Sequence, residues 1–69
     1  MEVITLREKY VKLGQVLKIA GFVGSGAEAK EVIVDGLVKV NSEVETRRGK
    51  KLYDNDIVSF NGEEVKIQK

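Results

Sequence analysis

One unbroken stretch, Ser25–Asn41, leaves this chain few architectures: it reads S-G-A-E-A-K-E-V-I-V-D-G-L-V-K-V-N. Ser25 and Glu28 have capping-box spacing. The hydroxyl accepts from the backbone N–H three residues on, and the carboxylate reaches back. Ala29, Val32 and Ile33 follow at i, i+3 and i+4, one apolar stripe of a short helix. Gly36 stands where helices commonly end in a left-handed residue. Val38 and Val40 alternate with Lys39 as in a half-buried strand, and Asn41-Ser42 supplies a turn. Helix start, helix stop and strand are therefore fixed with no spare residue between them.

The flanks extend this cassette. Glu2–Leu6, with β-branched Val3, Ile4 and Thr5, predicts a short first strand, and the charged Arg7–Tyr10 a connection. Leu13, Val16, Leu17 and Ala20 recur at i, i+3, i+4 and i+7, an amphipathic helix of two to three turns. Lys12 opens it, Lys18 lies on its polar side and Gly21 stops it. The glycine-rich Gly21–Gly26 brings the second helix in directly, so both stripes face a common core. Downstream, Val44, Leu52-Tyr53, Ile57–Phe60 and Val65–Ile67 are strand material. Asp54-Asn55-Asp56 reads as a turn, and Asn61-Gly62 is a strong hairpin signal. The expected order is strand, helix, helix, then about four strands. This is a single α+β domain over residues 1–69, two packed helices against a small, mostly antiparallel sheet of about four to five strands.

A chain of 69 residues buries only about 60% of its unfolded surface. Without Cys or His, neither disulfides nor an ordinary zinc site can staple it, so the core must be aliphatic. The same absence removes the usual nucleophile–base and metal-ligand sets. The carboxylate pairs Asp54/Asp56 and Glu63/Glu64 fall in turns, where nothing raises a pKa for acid–base work. The sequence therefore predicts no enzyme, no metal, no cofactor and no small-molecule substrate. Gly24–Ala29 matches a dinucleotide-binding G-x-G-x-x-A by letter, but a helix rather than a parallel strand precedes it, and that reading is rejected. The lack of Cys, of a signal-peptide pattern and of a long apolar run predicts a cytoplasmic protein with no membrane partner.

Net charge is +1, but it is unevenly spread. Between Lys39 and Lys51 there are five basic residues against two acidic ones, whereas Asp54–Glu64 holds four acids and no base. Arg47-Arg48-Gly49-Lys50-Lys51 is the clearest interaction candidate, because mutually repelling cations offer little to a fold and much to a polyanion. A solvated loop that keeps the protein soluble accounts for the same composition. Free N–H groups at the Ser25 helix start can bind a phosphate in any fold. Tyr53 and Phe60 have faces on which bases stack, although a small core has first use for them.

Taken together, Lys12-Leu13-Gly14-Gln15-Val16-Leu17, Ser25–Lys30, Ile33, Gly36, Val38–Asn41 and Asp56-Ile57 resemble the ribosomal-protein-S-four RNA-binding domain. That pattern runs R-L-D-x-x-L, S-R-x-x-A, I-x-x-G-x-V-x-V-N-G and G-D-x-I. The likeness extends to the small stand-alone bacterial members of the YaaA/YbcJ type, which carry a similar V-E-T-R-R/K, and its core covers about residues 12–58. The resemblance implies an αL-type motif that binds structured RNA, ribosomal or transfer RNA, at the ribosome. Its basic surface would come from the starts of both helices and the adjoining hairpin. On the matching positions, Lys12 stands at the first-helix arginine and Ser25 at the serine that starts the second helix. Lys30 takes a frequently basic helix position, Lys39 and Asn41 lie in the V-x-V-N strand, and Arg47, Arg48, Lys50 and Lys51 fall in the hairpin region. Gly26 replaces the arginine after serine, leaving a bare helix start. Gly14, Ser42 and Asn55 replace an aspartate and two glycines. Two other readings use the same basic loop: an adaptor that docks an acidic protein, and a binder of duplex DNA.

Overall fold

The two helices form where their caps dictate. In the computed structural model, which covers residues 1–69, α1 spans Leu13–Ile19 and α2 spans Gly26–Val34. The Ser25 hydroxyl accepts from the Glu28 N–H at 3.1 Å. The Glu28 carboxylate reaches back one residue further than a capping box requires, accepting from the Gly24 N–H at 2.6 Å. At the other end, Gly36 has φ +76°. Its N–H donates to the Ile33 carbonyl and that of Leu37 to the Val32 carbonyl, both at 3.1 Å. This is the double closure that a left-handed residue after the last turn permits. Helix α1 ends the same way at Gly21.

Seven strands accompany the helices: β1 (Glu2–Thr5), β2 (Val11–Lys12), β3 (Val38–Val40), β4 (Glu43–Val44), β5 (Lys51–Leu52), β6 (Ile57–Phe60) and β7 (Glu63–Gln68). Five of them form one sheet in the order β1-β7-β6-β3-β4, and β2 and β5 form a separate antiparallel ribbon. The sheet is mixed. Its pairings are antiparallel except β1–β7, which is parallel. The sequence reading holds for the α+β class. It omits β2, leaving Val11 unassigned and giving Lys12 to the helix start, and it counts one strand too few after the helices.

Two turns set the sheet register. Asn61 and Gly62 (φ +54° and +82°) join β6 to β7, and Asn41 and Ser42 (φ +51° and +74°) join β3 to β4. Paired left-handed residues match the right-handed twist of a hairpin. Ser42 is held there at a cost that glycine would not bear. Ser42→Gly is expected to raise stability by about 0.5–1 kcal/mol, after allowing for the extra freedom of glycine in the unfolded chain. A melting temperature about 4 °C higher would register it. An unchanged or lower melting temperature would mean that Ser42 bears no strain.

The core is aliphatic throughout, with Leu13, Val16 and Leu17 from α1, and Ala29 and Ile33 from α2, against Val38, Leu52, Val58, Val65 and Ile67. Phe22 and Phe60 close one edge, ring centroids 5.9 Å apart. No polar side chain is buried. In β3, Val38 and Val40 point to the helices and Lys39 to the opposite face of the sheet. No helix is long and apolar enough to cross a membrane.

Candidate nucleic-acid interface

The basic run is not a free loop. Arg47–Lys50 closes a tight turn through the Lys50 N–H to the Arg47 carbonyl, at 3.2 Å. That turn docks on the start of α1: the Leu13 N–H donates to the Lys50 carbonyl at 2.9 Å, and the Gly14 N–H to the Arg48 carbonyl at 3.1 Å. The Gln15 Oε1 accepts from the Lys12 N–H at 3.3 Å. The expectation that this run contributes little to the fold is therefore corrected. Its backbone caps a helix while its side chains remain outside. Gly14 makes the approach possible, because a Cβ there would lie 2.8 Å from Arg48 Cγ.

Docking in this way assembles a cleft of about 360 Å³ between the helix starts, lined by Lys12, Gln15, Lys18, Gly26 and Arg48. Sequence separates these residues by up to three dozen positions, and the turn brings them together. The N–H groups of Gly26 and Ala27 face no protein acceptor, so the α2 start offers two donors beside the cations. Lys12, Gly26 and Arg48 thus line one cleft, and Ser25 caps the helix that Gly26 opens. Lys30 lies one turn into α2, exposed. Lys18, on the polar face of α1, joins them. Its spacing of three from Gln15 was the available signal.

The remaining candidates divide. Arg47 is tied up. Its Nε donates to Glu45 Oε2 at 2.9 Å and its Nη2 to Oε1 at 3.1 Å, and its backbone N–H donates to the same carboxylate at 3.0 Å. This is the one ion pair of the molecule, and the E-x-R spacing in an extended segment could have announced it. Asn41 is also engaged. Its Nδ2 donates to Asp56 Oδ1 at 3.0 Å and its Oδ1 accepts from the Ile57 N–H at 2.9 Å, so it organises the end of the sheet. Lys39 faces away from the helix starts, near the Asn61-Gly62 turn. Strand alternation separates it from the cleft. Lys50 and Lys51 border a second concavity beside Tyr53. Of the two aromatic candidates Phe60 packs, but Tyr53 stays 47% exposed, against the expectation that both serve the core.

The hydrogen bonds from Arg47 hold the Glu45 carboxyl down from its ordinary 4.5 to about 2, outweighing partial burial, with Lys50 adding its charge; the Arg47 pKa is raised in turn. A carboxyl depressed on folding stabilises the fold fully above the unfolded value near 4.5, and that contribution fades as pH falls towards 2. The Arg47 side chain is 71% accessible, so solvent and salt keep the effect small. An NMR titration of the Glu45 carboxyl carbon is expected to give a midpoint near 2. A midpoint in the usual carboxylate range would show the pair open in solution.

Lys12, Lys18 and Arg48 gather in one cleft of a two-helix, mixed-sheet domain, and the S4 domain family matches residues 4–68. The chain belongs to that family and is an RNA-binding module of the S4 type. Among its relatives, YbcJ of Escherichia coli (strain K12) is 41% identical over 61 residues, covering 88% of this chain and 87% of that one. A Bacillus subtilis (strain 168) relative named "Probable ribosome maturation protein RlbA" is 41% identical over 59 residues, covering 86% and 83%. The solution structure of E. coli YbcJ, described as revealing an αL motif involved in RNA binding, superposes with a TM-score of 0.77 at 38% identity, covering 100% of this chain and 89% of that one.

Proposed function

We propose that this protein binds structured RNA, ribosomal or transfer RNA, by seating a phosphate backbone in the cleft between the helix starts. Arg48, Lys12 and Lys18 are the primary cations. Gly26 and Ala27 donate from the backbone, Ser25 holds that helix start in place, and Lys30, Lys50 and Lys51 flank. The observation that carries this reading is the convergence of Lys12, Lys18 and Arg48 on one concavity with no carboxylate paired to any of them. On a molecule of net charge +1, such local concentration implies a polyanionic partner. Phosphate contacts fix position, while the shape of a folded RNA provides selectivity. The setting at the ribosome is supported by the name of the B. subtilis relative.

Salt titration tests the electrostatics. Neutralising about four or five phosphates of an RNA stem predicts a slope of log K against log salt near −4. A slope near zero would sink the model. Duplex DNA of the same length, added as competitor, should displace the RNA poorly, because the B-form groove does not present the A-form spacing of phosphates and 2′-hydroxyls.

A further inference from the structure

The β2–β5 ribbon carries a second chemistry on its outer face. Val11 pairs with Leu52 and both turn inward, Leu52 completely. Alternation then sends their neighbours outward. Lys12 stands opposite Lys51, and Tyr10 lies beside Tyr53 with ring centroids 6.2 Å apart at 55°. The Lys51 ammonium sits 4.8 Å over the Tyr10 ring. Both tyrosines of the chain thus flank the two-residue strands of this ribbon, outside the core.

Three features of this face are unfavourable or idle in the free protein. Like charges directly opposed across a ladder destabilise it, and neither lysine has an ion-pair partner. Tyr53 leaves nearly half its surface in water. Beside it opens a concavity of about 360 Å³, bordered by Asn41, Lys50 and Lys51. The acids there are mostly engaged: Glu45 with Arg47, and Asp56 with Asn41 and the Tyr53 N–H. Of the acids that line it, Glu43 alone has no side-chain partner. An anion between Lys12 and Lys51 would relieve their repulsion, and a flat aromatic group would cover Tyr53. A nucleotide supplies both.

We propose that this face seats one unpaired nucleotide of the bound RNA, its base stacked on Tyr53 and its flanking phosphates on Lys12 and Lys51. The inference rests on the RNA-binding reading and adds a target class, an RNA stem adjoined by an unpaired residue. A paired base keeps its face inside the helix, so only a splayed one can reach the ring. Lys12 belongs to both surfaces, which places a stem in the cleft next to its unpaired neighbour on the ribbon. Lys51 already covers Tyr10, leaving Tyr53 as the receiving ring.

The chain has no Trp, so its intrinsic emission comes from Tyr10 and Tyr53 alone. Two RNA hairpins are compared, one with a single unpaired adenosine beside its stem and one lacking it. Wild-type protein should bind the first about tenfold more tightly, with quenched tyrosine emission. Tyr53→Leu should bind both alike, while Tyr53→Phe, which keeps the ring, should restore the preference. Circular dichroism checks that both variants are folded, and should Tyr53→Leu unfold, the emission of Tyr53→Phe still decides: with Tyr10 the one remaining tyrosine, the quenching by the adenosine hairpin should be largely lost, and quenching as in wild type would overturn the seat on Tyr53. Equal binding of the two hairpins by wild type with unchanged emission would overturn the stacking seat and leave the RNA reading standing, as would a preference that survives Tyr53→Leu. Binding of neither hairpin would overturn both.

Discussion

Reversing two charges at the helix starts, Lys12→Glu together with Arg48→Glu, is expected to lower affinity for an RNA stem by at least about a hundredfold at physiological salt, and to flatten the salt slope from near −4 to about −2. The two residues reach the cleft from different elements, Lys12 as the residue that opens α1 and Arg48 from the turn that docks on it. Neither is paired with a carboxylate, so each reversal removes a full attraction and adds a repulsion. Two reference variants sharpen the result. Lys39→Glu makes one such reversal, half the charge change of the double variant, on the far face of the sheet and should leave affinity within about twofold once salt screens it. Arg47→Ala removes a guanidinium already committed to Glu45 and should matter much less than Arg48→Ala. Equal losses for Lys39, Arg47 and Arg48 would mean that net charge, not the cleft, governs binding. Circular dichroism and a gel-shift titration at several salt concentrations are sufficient to separate these outcomes.

The second large effect concerns stability. Leu52→Ala should cost about 2–5 kcal/mol, the range for a fully buried leucine whose cavity collapses only in part. A domain this small has roughly 3–10 kcal/mol in total, so the variant should be substantially unfolded at body temperature. Leu52 is the one fully buried side chain of β5. It fastens the ribbon, and through it the basic turn, to a core otherwise built from helices and the main sheet. Urea denaturation should show the midpoint falling with the slope unchanged. A loss under about 1 kcal/mol would mean that the ribbon is not anchored through this residue.

The parts legible in the sequence were those that local chemistry decides. Ser25, Glu28 and Gly36 bound α2 through contacts within a few residues. Asn61-Gly62 fixed a hairpin because backbone twist alone selects such a pair. The site was legible as a composition, four cations around Gly49, but not as a shape. Its shape depends on Gly14 accepting Arg48, a contact between residues far apart in sequence that no local pattern encodes. Pairing of β2 with β5 was hidden for the same reason, since two residues per strand carry no periodicity to read. Lys39 and Asn41 shared a motif with the site, yet strand alternation turned one away and hydrogen bonds to Asp56 and Ile57 occupied the other. Asn55 stands where the family pattern has glycine. Its φ of +77° shows the same backbone requirement met by another residue that tolerates it.

The parallel pairing of β1 with β7 sets the order in which the molecule can be assembled. Glu2 lies against Val65 and Thr5 against Gln68, partners about sixty residues apart, a separation whose closure is slow. During synthesis the first strand is made about sixty residues before its partner. Helices and the β3–β4 hairpin can form meanwhile from neighbouring residues, but the Val3–Ile4 segment stays exposed until Glu63–Gln68 has emerged. The β1–β7 pairing can therefore close only after the rest of the domain has been made, and until then β1 remains an unpaired, β-prone segment.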